Sequence, residues 1–195
     1  MTNTNNPDFE PLTRTQILII MAVTAIILLI IAKGWQKLGS IKLLDLNFSY
    51  SAVGIGIALA GGIIAASSLI YRLWEAYRHS ADAYLELVIQ PLVWTDLIWL
   101  GLLPGLSEEL LFRGVMLPAF GLDLTAVVIS SLIFGVLHLS GSQQWPYVVW
   151  ATIVGFALGY TALVTGNLLI PIVAHIITNL ASSTLWKLQH LSPQA

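Results

Sequence analysis

Cysteine is absent from the 195-residue chain, and that absence removes disulfides, thiolate nucleophiles, iron–sulfur clusters and cysteine-held zinc together. Any metal would need histidine and carboxylate ligands. Charge is also scarce: Asp, Glu, Lys and Arg make up 9% of the residues, against about 25% in soluble domains. The eight Lys and Arg are scattered and the net charge is -2, so there is no basic surface for nucleic acid, which is excluded as a partner. The chain start lacks the positive segment of a secretory signal. Its first apolar run meets Lys33 and Lys37 instead of a small-residue cleavage site, so that helix is expected to stay attached. No internal repeat is present.

Apolar side chains, by contrast, reach 57%, more than a soluble fold of this size could bury. Runs of about 20 apolar residues cross a hydrocarbon core of roughly 30 Å. The expected fold is therefore an all-α, polytopic transmembrane bundle of about six to seven helices with a polar cavity between the C-terminal ones. Residues 1–15 read as a polar, mobile tail, 16–86 as N-terminal transmembrane helices with interfacial segments, and 87–190 as a second helical unit. Apolar runs cover 16–32, 52–74, 92–103, 124–139, 147–164 and 168–188. Residues 33–50 suit the membrane–water interface, and 75–86, with Arg78, His79 and Asp82, read as a surface loop or amphipathic helix. Pro104-Gly105 reads as a break followed by a helix restart, with Glu108 and Glu109 in the first turn. Gly155 and Gly159 form a close-packing pair, whether within the bundle or across a dimer. Sidedness stays open, because alternation puts the Lys33, Lys37 and Lys42 loop opposite Arg72 and Arg78.

An ionisable side chain at a bilayer centre costs about 2.5–3.5 kcal/mol, so those that occur there are candidates for function. The C-terminal half concentrates them on three helices. Glu108, Glu109 and Arg113 lie in SEELLFRGVML, His138 in SSLIFGVLHL, and His175 and Asn179 in LIPIVAHIITNL. At about 100° per residue, Glu109 and Arg113 share a helix face, as do Phe134 and His138, and His175 and Asn179. Glu109 and Arg113 read first as a structural ion pair. Glu108 has no cation four residues away and reads as a general base. Asn179 alone would be interhelical glue. Asp96 reads as a buried polar contact and Asp123 as a helix-start residue.

In order along the chain, Glu108-Glu109-x-x-x-Arg113, Phe134-x-x-x-His138 and His175-x-x-x-Asn179 resemble the CAAX protease and bacteriocin-processing (CPBP) family, which includes the type II CAAX prenyl endopeptidases. The resemblance implies a catalytic helical domain over 87–190, in which Glu108 and His138 activate water while His175 and Asn179 stabilise the oxyanion. Glu109, Arg113 and Phe134 would support them. It implies an intramembrane endopeptidase acting on a membrane-associated peptide or protein, prenylated or not; the cell membrane is the expected location, and no cofactor is favoured over the alternative of one zinc ion.

Zinc held by His138, His175 and Glu108 is the competing mechanism. The His-Glu-x-x-His helix of common zinc peptidases is absent, however, and Asn179 is a poor zinc ligand. Two non-catalytic classes stay open. One is a scaffold or bacteriocin-immunity protein using the same cavity, and the other is a small ion-coupled transporter relaying charge through the buried Glu, Arg and His.

Overall fold

The computed structural model describes residues 12–190, which are helices, turns and extended linkers, with no strand among the described residues. In chain order come α1 (Arg14–Leu38), α2 (Tyr50–Leu73), α3 (Glu75–Ile89), a 3-10 turn at Trp94–Asp96 and α4 (Leu97–Glu109). A π-helical segment (Leu110–Met116) leads to α5 (Leu117–Ala119) and α6 (Leu124–Val136). A 3-10 turn at Ser142–Gln144, α7 (Trp145–Thr165) and α8 (Leu169–His190) complete the bundle. Four helical runs are long and apolar enough to cross a membrane: α1, α2, Ser142–Thr165 and α8. Helix α3 and the run Trp94–Ala119 are long and apolar enough only when taken together, and the 105° bend between them is that of a broken span or a re-entrant loop; α6 is a shorter apolar helix. Ile19, Ile20, Val23, Ile26, Ile27 and Ile30 of α1 are exposed, as expected of a face turned to lipid.

The expected tail over 1–15 lies outside the described residues up to residue 11. Its last residues are not tail. Thr13 caps α1 in a capping box with Gln16, and Arg14 donates to both carboxylate oxygens of Asp96 at 2.7 and 2.8 Å. Asp96 Oδ2 also accepts the Val93 N–H at 2.9 Å. Asp96 is thus a buried contact that ties the start of α1 to the start of α4. Asp123 caps α6, its Oδ1 accepting from Ala126 N at 2.8 Å. The 75–86 stretch is helical and belongs to α3.

The expected break at Pro104-Gly105 is absent. Helix α4 runs through Pro104 to Glu109 and continues into the π-helical segment. A proline inside a helix is tolerated in membrane proteins when neighbours take up the backbone group it leaves without a partner. Helix α8 is that neighbour. A Cβ added at Gly101 would lie 2.7 Å from Leu180 Cγ, and one at Gly105 would lie 2.5 Å from Ile176 Cγ1. These two glycines, four residues apart, let α4 and α8 approach closely. The glycine pair on α7 also packs inside the bundle: Gly155 and Gly159 face Phe134, Val127 and the Arg113 side chain.

Candidate active site

Glu109 and Arg113 sit at the centre of the bundle, both with 0% side-chain exposure. Arg113 Nη1 donates to Glu109 Oε1 at 2.7 Å, and Nη2 donates to the Gly155 carbonyl at 2.8 Å. The guanidinium carbon lies 4.6 Å from the Phe134 ring centroid, within cation–π range. A larger residue at 155 would crowd Nη2, which lies 3.4 Å from where its Cβ would stand. The ion pair read from the i, i+4 spacing is therefore present, and it is also locked to α6 and α7.

The same carboxylate oxygen of Glu109 has a second partner. His175 Nδ1 lies 2.7 Å from Oε1, across from α8, and a carboxylate can only accept, so Nδ1 carries a proton. Nε2 of His175 is thereby turned toward Glu108, whose Oε2 is 4.0 Å away. Glu108 Oε2 is buried and makes no hydrogen bond. The adjacent glutamates thus differ: Glu109 holds Arg113 and His175 together, and Glu108 offers an unengaged oxygen beside the imidazole.

His138 does not lie within α6, as its sequence run implies. The helix ends at Val136, and the His138 N–H turns back to the Gly135 carbonyl at 3.0 Å. Its Nδ1 lies 2.8 Å from the Phe134 carbonyl. A carbonyl only accepts, so Nδ1 donates and Nε2 of the neutral ring keeps its lone pair. The ring therefore satisfies a carbonyl at the helix end, where the backbone ladder runs out of donors. Phe134 stands between the histidines, with ring centroids 4.7 Å from His138 and 6.0 Å from His175.

Glu108, His138, His175 and Asn179 all line one cavity of about 400 Å³, which opens among α2, α3, α4, α6, α7 and α8. Asn179 is half-buried, and its Nδ2 donates to the Leu100 carbonyl of α4 at 3.5 Å. Four features of this cavity lay beyond sequence reasoning: the Glu109–His175 contact, the Leu100 carbonyl, and Tyr84 and Tyr147, whose stacked rings (4.6 Å between centroids) form part of its wall. The only sequence signal for any of them was Pro104, four residues after Leu100. Among the described residues, no three His, Asp or Glu side chains converge as a metal site.

Residues 90–181 match the family model for type II CAAX prenyl endopeptidase Rce1-like proteins. The chain is 28% identical over 177 residues to the uncharacterized protein YpbD of Bacillus subtilis (strain 168), covering 91% of this chain and 89% of that protein. It is 38% identical over 84 residues to the uncharacterized protein YyaK of the same organism, covering 38% of this chain and 27% of that one. No solved structure matches the chain. All three polar motifs fall within residues 90–181, and over that segment the chain is similar to the type II CAAX prenyl endopeptidase Rce1-like proteins.

Proposed function

We propose that this chain is a glutamate-type intramembrane endopeptidase of the cell membrane that hydrolyses a peptide bond of a membrane-associated peptide or protein. The observation that carries the reading is the buried, unengaged Oε2 of Glu108, 4.0 Å from His175 Nε2, in the cavity that His138 and Asn179 also line. Peptide hydrolysis requires a proton acceptor for water, a group to orient that water, and donors for the tetrahedral oxyanion. Glu108 accepts the proton. His138, with its Nδ1–H engaged by the Phe134 carbonyl, presents the Nε2 lone pair that orients the water. The water oxygen attacks the scissile carbonyl carbon, and the proton held by Glu108 passes to the leaving amine as the C–N bond breaks.

His175 and Asn179 are the oxyanion donors. Glu109 holds the His175 Nδ1–H. When Nε2 is also protonated, the imidazolium charge is balanced by that carboxylate and its N–H points into the cavity. Asn179 donates one amide hydrogen to α4 and has a second for the substrate. An interaction made mainly in the transition state appears in kcat rather than KM. Asn179→Ala is therefore expected to lower kcat by about 100-fold, the scale of a lost oxyanion donor, with KM little changed. Steady-state kinetics on a fluorogenic membrane peptide would check this; an effect confined to KM would remove Asn179 from the oxyanion site.

The activity itself is tested by substrate trapping. Cells carrying an inactive Glu108 variant should accumulate an uncut membrane protein, bound to the variant, that the unsubstituted chain cleaves; its C-terminus would report any prenyl group. Purified active protein is expected to contain no stoichiometric metal. About one zinc per chain by elemental analysis, with activity lost on chelation and restored by zinc, would replace the glutamate mechanism with a metal one.

A further inference from the structure

Pro104 lies on the wall of the cavity and is part of an unbroken helix, where a proline has a local cost. It has no N–H to give to the carbonyl four residues earlier, that of Leu100. In a bilayer such a carbonyl must find a partner within the protein. The partner is Asn179 Nδ2, reaching from α8 at 3.5 Å. The molecule uses the same device elsewhere. Pro118 has no N–H for the Gly114 carbonyl, and that carbonyl accepts the Leu44 N–H at 3.1 Å. There the acceptor pins a linker, whereas at Leu100 it meets a side chain of the candidate site.

We infer that Pro104 is a positioning residue for the reaction: by removing the N–H that would otherwise pair with the Leu100 carbonyl four residues earlier, it fixes which end of the Asn179 amide faces α4. The inference rests on the reading of Asn179 as an oxyanion donor. An asparagine amide has an accepting end and a donating end of nearly equal shape. Opposite a carbonyl oxygen only the donating end is favourable, because the flipped amide would set two acceptors against each other. With Nδ2 held there, its second hydrogen is left for the substrate oxyanion. The close approach that makes this contact depends on Gly101 and Gly105, which admit Leu180 and Ile176 of α8.

Pro104→Ala restores an N–H, which the Leu100 carbonyl accepts within α4, and the amide of Asn179 loses the contact that orients it. Stability and activity should then move in opposite directions. The melting temperature in detergent rises, since alanine is far better tolerated than proline in a helix interior. The kcat falls by about 10-fold, a barrier change of about 1.4 kcal/mol, while KM is unchanged. Because Pro104 lines the cavity, a second variant separates the N–H from the shape of the ring. Lactic acid at position 104, introduced through an ester bond, keeps the methyl group of alanine but has no N–H, and it should recover most of the lost kcat. On an Asn179→Ala background, Pro104→Ala should lower kcat no further. An unchanged kcat in Pro104→Ala, alongside a large loss in Asn179→Ala, would overturn the role of Pro104 and leave Asn179 in place. A loss shared equally by the alanine and lactic acid variants would assign the effect to cavity shape and likewise overturn it. An Asn179→Ala variant with full kcat would instead remove the reading on which the inference rests.

Discussion

Glu108→Gln is expected to give a folded, membrane-inserted protein that binds peptide and does not cleave it. Glutamine keeps the volume of the side chain and removes only the capacity to take a proton, which is worth about 10²- to 10⁴-fold in rate for a positioned general base. The fold has little to lose, because Oε2 of Glu108 is buried without a hydrogen bond and His175 Nε2 is 4.0 Å away. Replacing one carboxylate oxygen with an amide therefore breaks no short contact there. Single-turnover cleavage and thermal unfolding, measured on the same detergent preparation, separate chemistry from stability. A Glu108→Gln protein that cleaves at near-normal rate would end its role as the base.

Glu109→Gln should fail in a different way, with loss of stability as the leading effect. Arg113 has 0% side-chain exposure, and among the described residues its only carboxylate contact is Glu109 Oε1 at 2.7 Å. Removing one partner of a buried pair strands the other charge, at a cost of about 3–5 kcal/mol. The amide oxygen of glutamine can still accept hydrogen bonds from Arg113 and His175, so what is lost is the negative charge. That gives the double variant Glu109→Gln/Arg113→Met a clear expectation. With both charges gone, most of the stability returns, because an apolar side chain costs nothing to bury. Activity should not return, since His175 Nδ1 no longer faces a carboxylate and the imidazolium form has lost its counter-charge. Melting temperatures and kcat on the two variants decide between the roles. A Glu109→Gln protein of unchanged melting temperature would mean that the pair contributes little, and a fully active double variant would mean that Glu109 serves the fold alone.

The two predictions differ because of one oxygen atom. Sequence spacing assigns Glu109 to Arg113 and leaves Glu108 apart, roughly 140° around the helix, and the positions of both side chains agree with that. Spacing carried no information about His175, 66 residues further on, which binds the same oxygen of Glu109. Asn179 is similar: its place beside His175 on one face of α8 was readable, but its contact with Leu100 was not, because that depends on how near α4 comes.

The sequence by itself determined that the chain lies in a membrane, that it is helical, and that its polar side chains concentrate in three apolar segments of the C-terminal half. Composition and a repeat of about 3.6 residues are properties of a segment alone. The cap at Asp123 and the Glu109–Arg113 pair were legible for the same reason, since both partners lie within four residues. Only the tertiary structure decided that α4 passes through Pro104 unbroken, that His138 sits just beyond the end of α6, and that α3 covers a cavity shared with the C-terminal helices. The unbroken path through Pro104 turns on a partner supplied from elsewhere. Helix α8 packs closely enough on Gly101 and Gly105 to satisfy the carbonyl that Pro104 leaves free, and a buried backbone oxygen takes whichever donor the packing brings within reach.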